Sequence, residues 1–158
     1  MPQPLPTREE LNPVHDDLDG QVACEHFFGK TVEEAEALFR ESPLYFDEDL
    51  FWMGPIAFRF YVQAAIRFIQ SDDVAYQAGF INGFCGTLER HLECDPLEEL
   101  IPVAGQLAAV CSYIVEHWSK LDANKEIYGD LQLRYVALQQ TFAHLSGETK
   151  NAPSLTTD

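Results

Sequence analysis

The stretch GPIAFRFYVQAAIRFI, Gly54 to Ile69, decides the fold. Proline at the first helical position gives up only an amide that had no partner, so Gly54-Pro55 opens a helix. From Ile56 onward apolar residues cover most of its circumference, interrupted only by Arg59, Gln63, Arg67 and, just beyond, Gln70. At about 100° per residue these four share a stripe roughly 80° wide, so the spacing predicts a central helix with one polar seam.

The segments around it read as helices too. Thr31-Val-Glu-Glu34 is a capping box that opens a short helix to about Arg40, and Ser42-Pro43 stops it. Ser71-Asp72-Asp73 is expected to cap a third helix, with Val74, Ala78, Ile81, Cys85, Leu88 and Leu92 on one face. A fourth, with Pro102 near its start, repeats the pattern through Val103, Leu107, Val110, Ile114, Trp118 and Leu121. A fifth shows Ile127, Leu131, Tyr135, Leu138, Phe142 and Leu145 before a stop at Gly147. Nothing alternates with the period of two that marks a half-buried sheet. The expectation is an all-α, single-domain bundle of about five helices over residues 26–146. Residues 1–25 hold four of the nine prolines and many acids, which predicts a flexible acidic arm, and 147–158 read as a disordered tail.

A chain of 158 residues, 46% of them hydrophobic, is long enough for one core. Its net charge of −16 is uneven: residues 1–50 hold 13 acids against Arg8, Lys30 and Arg40, a net of −10. Such a chain repels phosphate backbones and anionic membrane surfaces, so neither nucleic acid nor membrane is expected as a partner. A basic protein is electrostatically allowed, and self-association is left open. Cys24, Cys85, Cys94 and Cys111 show no C-x-x-C pairing, which reads as reduced thiols in a cytoplasmic protein. Met-Pro-Gln-Pro-Leu-Pro is not a signal peptide, and the longest uncharged run, Leu100 to Val115, reads as too short and too polar to span a bilayer.

The third helix contains Gly79, Gly83 and Gly86 which, with Ala75, form a small-residue stripe. Each glycine costs about 1 kcal/mol against alanine in a helix interior, so close packing of a neighbouring helix is expected to offset it. A ligand groove is the alternative, and Asn82-Gly83 is a turn signal that would split the helix. Cys85, His91 and Cys94 suit zinc by type but cannot converge from one continuous helix, and neither a metal nor a cofactor is expected. No hydrolase, phosphate-loop or metalloprotease motif is present. Buried free cysteines and surface or helix-end histidines are the expectation.

Asp47, Glu48 and Asp49 stand beside Phe51 and Trp52, and this cluster is the candidate binding site together with Arg59 and Arg67. Aromatics ringed by charge are how protein interfaces concentrate binding energy. A buried guanidinium needs its donors satisfied. At least one of these arginines is therefore expected to be largely buried and bonded to acids of the 47–49 segment or to Glu89 and Glu93.

Phe28-Gly-Lys-Thr-Val-Glu-Glu-Ala35, Glu48-Asp-Leu-Phe-Trp-Met-Gly-Pro55, Ala57-Phe-Arg-Phe-Tyr61 and Ala64-Ala-Ile-Arg67 resemble a small family of uncharacterised bacterial proteins. That resemblance implies a bacterial origin and assigns no activity. The charge and the aromatic segment together point to a non-enzymatic acidic module, inhibitor- or immunity-like, that docks a basic partner. The alternative is a small enzyme with a carboxylate and arginine site, or an anion-binding protein.

Overall fold

The fold is that of a computed structural model, which describes residues 3–15 and 17–155, with side chains through residue 147. Among the described residues it is 79% helix with no strand. The elements are α1 (Arg8–Leu11), α2 (Leu18–Phe27), α3 (Val32–Glu41), α4 (Pro43–Trp52), α5 (Pro55–Ile69), α6 (Ala78–Cys94), α7 (Leu97–Glu116), α8 (Lys125–Tyr128) and α9 (Leu131–Leu155), with 3-10 turns at Asp72–Val74 and Trp118–Leu121. The all-α class stands; a count of about five understates the nine helices among the described residues.

α5 is central, as its composition requires. It buries Phe58, Phe60, Tyr61, Phe68 and the small residues between them against α3, α7, α4 and α1, while its polar seam runs along the margin. Tyr61 is fully buried, and its hydroxyl donates to the carbonyls of Phe27 at 2.7 Å and Lys30 at 2.8 Å. It thereby ties α5 to the turn that follows α2, where the Phe27 carbonyl also accepts from the Lys30 amide at 3.0 Å. The Thr31 capping box forms in both directions: the Thr31 hydroxyl accepts from the Glu34 amide at 3.1 Å, and Glu34 accepts from the Thr31 amide at 2.9 Å. The remaining layers pair α7 with α9, α4 with α6 and α2 with α4.

Several expectations need correction. Residues 8–11 and 18–25 of the expected arm are helical, because α1 and α2 lie there and bury Leu11 and Ala23 completely in the core. The Gly54 amide donates to the Leu11 carbonyl at 3.2 Å, and a side chain at 54 would collide with the Glu10 carbonyl and the Pro13 ring. The glycine that precedes Pro55 is thus where the N-terminal segment crosses α5. Gly147 does not stop α9, whose backbone stays helical to Leu155. One glycine costs about 1 kcal/mol in a helix, less than is needed to end it. Residues 1, 2, 16 and 156–158, which the expected arm and tail include, lie outside the described residues.

Ser71 caps only a 3-10 turn, accepting from the Asp73 amide at 3.2 Å. The left-handed backbone of Tyr76 (φ 64°) then resets the chain, so α6 begins at Ala78 and Ala75 lies outside it. From there the helix is continuous through Asn82-Gly83. Ile127 belongs to the separate turn α8, closed by Gly129 at φ 60°, and is exposed rather than core. The uncharged run Leu100 to Val115, expected to be too short and too polar to span a bilayer, lies within α7, a 20-residue helix long and apolar enough to cross a membrane by length and composition only. In this fold it buries Leu100, Val103, Leu107, Val110 and Ile114 against α5 and α9.

Candidate functional site

α4 carries the candidate cluster. Its sequence, PLYFDEDLFW, starts with proline at the first position and sets three successive carboxylates in its middle. Successive side chains on a helix diverge by about 100°, so the three acids enter three different environments. Asp47 and Asp49 turn inward and are buried, while Glu48 faces solvent.

Asp47 enters the notch left by Gly83 on α6. A β-carbon at Gly83 would stand 2.6 Å from Asp47 Oδ2, closer than real contacts allow, so glycine is what lets α4 lie this near. The Thr87 hydroxyl lies 3.3 and 3.4 Å from the two carboxyl oxygens and 3.2 Å from the Gly83 carbonyl. No cation reaches Asp47 among the described residues. Burial pushes its carboxyl up to about 8; the Thr87 hydroxyl opposes the rise, and the charges of Glu48 and Asp49 add to it. Close packing therefore accounts for Gly83. Gly79 meets Tyr128 and Leu44 only at ordinary contact distance, and Gly86 faces open space, so packing does not require a glycine there.

Asp49 points to α2 and meets His26 Nδ1 at 2.6 Å. Burial raises the Asp49 carboxyl and the His26 bond holds it down. The other ring nitrogen, Nε2, lies 3.4 Å from the Tyr45 hydroxyl, and the imidazole packs against both Tyr45 and Phe46. Phe51 and Trp52 lie edge to face and together support the Arg90 guanidinium, 4.9 Å and 5.0 Å from their ring centres. Arg90 forms no ion pair among the described residues.

Arg59 and Arg67 do not join this cluster. Arg59 pairs with Glu99 of α7 at 2.8 Å and also donates to the Glu99 carbonyl at 3.3 Å; Arg67 pairs with Glu33 at 3.3 Å and lies 3.9 Å from Glu36, both on α3. With side chains 33% and 48% exposed, neither is largely buried, and neither reaches the 47–49 segment. The expectation for Glu89 fails as well, since it pairs with Arg134 of α9. The physical reason is the position of the seam at the margin of α5, where acids of α3 and α7 are nearer than anything on α4.

A further contributor is His91, expected at the surface or a helix end; it lies in the last turn of α6 but is fully buried, stacked on Phe58 at 3.8 Å, with Nε2 2.9 Å from the Leu50 carbonyl and Nδ1 2.6 Å from Asp95. It satisfies a backbone carbonyl near the end of α4. Cys24, Cys85 and Cys111 are buried free thiols, and burial pushes those of Cys85 and Cys111 up to about 12; Cys94 is exposed. Among the described residues no three His, Cys, Asp or Glu side chains converge as metal ligands.

In comparisons with known proteins, no protein family, no curated protein and no solved structure matches this chain.

Proposed function

We propose that the chain is a non-enzymatic acidic module that docks a protein with a basic surface, in the manner of small inhibitor or immunity proteins. The observation that carries this reading is how the charges are used. Arg40, Arg59, Arg67 and Arg134 are held in internal ion pairs, so they neutralise acids within the fold and offer little to a partner. Asp17, Asp19, Glu25, Glu41 and Glu48 enter no ion pair among the described residues, and all five lie in the stretch of net charge −10. Such a field steers a cationic partner and speeds its encounter.

Arg59 and Arg67 each face a carboxylate, which leaves neither guanidinium free to receive a small anion, so the docking reading is preferred to the carboxylate-and-arginine alternative. The test is a pull-down from native lysate at low and at high salt. The expected result is a basic protein retained at low salt and released at high salt; absence of any salt-sensitive partner contradicts the proposal.

A further inference from the structure

The fold places a short apolar row of α2 beside an exposed tyrosine of α4, with carboxylates along the edges. On α2, Leu18 and Val22 are 74% and 41% exposed and precede His26 by two turns and one turn, on the same side of the helix. On α4, Tyr45 is 54% exposed, whereas Leu44 turns toward Gly79 and Gly83 of α6. The α2 row meets Tyr45 at His26, with ring centres 5.4 Å apart. Around them stand the exposed acids Asp19 and Glu25, each three residues from Val22, and Glu48, three residues beyond Tyr45. None of the three acids is neutralised by an ion pair among the described residues.

We infer that the α2–α4 face, with Tyr45 as its anchor, is the docking surface, and that its occupant is a basic segment that presents apolar side chains flanked by lysine or arginine. The inference rests on the proposed function and locates it. Charge complementarity selects the occupant: the apolar row supplies burial, and a partner without cations would leave Asp19, Glu25 and Glu48 desolvated and unpaired. Tyrosine suits the anchor position, because it offers a large, stiff area with a polar tip. Here the ring is further restrained. Buried Asp49 fixes the His26 imidazole, and that imidazole faces the Tyr45 ring and lies 3.4 Å from its hydroxyl. His26 and Asp49 therefore act as positioning residues for Tyr45, which lowers the ordering cost of docking.

Among the other exposed apolar side chains, Leu133 lines a groove of about 520 Å³ between α8 and the start of α9. That groove holds both Lys125 and Asp130, so its charges oppose each other and select no sign of partner. It serves as the internal control.

The experiment is NMR titration of the intact chain at low salt with a synthetic amphipathic peptide of leucine and lysine at helical spacing. Amide shifts are expected to centre on α2 and α4. Tyr45→Ala is expected to weaken binding by about tenfold or more, as loss of an interface anchor does. Glu48→Lys should weaken it at low salt and by a smaller factor at high salt. Tyr45→Phe keeps the ring and should retain most of the affinity, while Leu133→Ser should change nothing; circular dichroism confirms that each variant folds. Shifts centred on the Trp118–Leu133 groove, with affinity lost in Leu133→Ser and kept in Tyr45→Ala, overturn the assignment of the face and leave the basic-partner reading standing. No binding at any face at low salt overturns both.

Discussion

α4 and α5 are consecutive helices of similar origin, each opened by a proline, yet they treat their charged residues in opposite ways. α5 sends Arg59 and Arg67 to its margin, where they meet Glu99 and Glu33 in partly solvated pairs. α4 turns Asp47 and Asp49 inward, to Thr87 and His26, and has its Leu50 carbonyl met by the buried His91. A long arginine reaches water from the edge of an apolar helix by extending its stem, and so needs no buried partner. A short aspartate on an inward position has no such reach and must be protonated, hydrogen-bonded or paired where it stands. The expectation from sequence was the other way round, with a buried arginine served by acids of the 47–49 segment or by Glu89 and Glu93.

The contrast can be broken by mutation, beginning with the largest expected effect. His91→Leu removes the donor to the Leu50 carbonyl and leaves Asp95, 7% exposed, without its partner, and is expected to cost about 3–5 kcal/mol in denaturant unfolding. An unchanged midpoint would mean that the polar contacts inside α4 are dispensable. Gly83→Leu should cost about 1–3 kcal/mol by forcing Asp47 out of its notch. Arg59→Met should cost only about 0–1 kcal/mol, since its pair with Glu99 is partly exposed. Arg67→Met, in a more exposed pair, should cost less still. A loss from Arg59→Met as large as that from His91→Leu would erase the distinction between the two helices.

Much of the fold is legible in the sequence, for reasons that also explain the rest. α5 is readable because its apolar content is continuous, and α3 because the capping box is a local signal that forms as written. α2 escapes notice although its buried residues, Gly20, Ala23, Cys24 and Phe27, fall at helical spacing; three of them are too small to register as an apolar face. α1 is announced by a second capping box, Thr7 with Glu10, hidden among prolines. α4 is obscured because its inward face mixes Phe46 and Leu50 with two aspartates, so hydrophobicity and burial no longer coincide. Within the candidate site, Asp47, Asp49, Phe51 and Trp52 are visible as a local cluster. Their partners are not, because His26, Thr87, Arg90 and His91 come from α2 and α6, and only tertiary packing brings them to α4. Gly83 and Thr87, four residues apart on one face of α6, were the nearest signal of a neighbour approaching with a polar group.

The central claim is that α4 holds a protonated Asp47 against α6. An ordinary aspartate has a value of 3.8, and burial raises this one to about 8. Between those values the folded chain keeps a proton that the unfolded chain has released, so the contribution of Asp47 to stability is full below about pH 4 and is lost as pH rises toward 8. The direct measurement is unfolding free energy against pH for the parent and for Asp47→Asn, which keeps the shape and cannot ionise. The account predicts that the two proteins are close in stability at the acid end and that the Asn variant becomes progressively the more stable as pH rises to 8. Parallel curves, or an Asn variant that is less stable across the whole range, would contradict it.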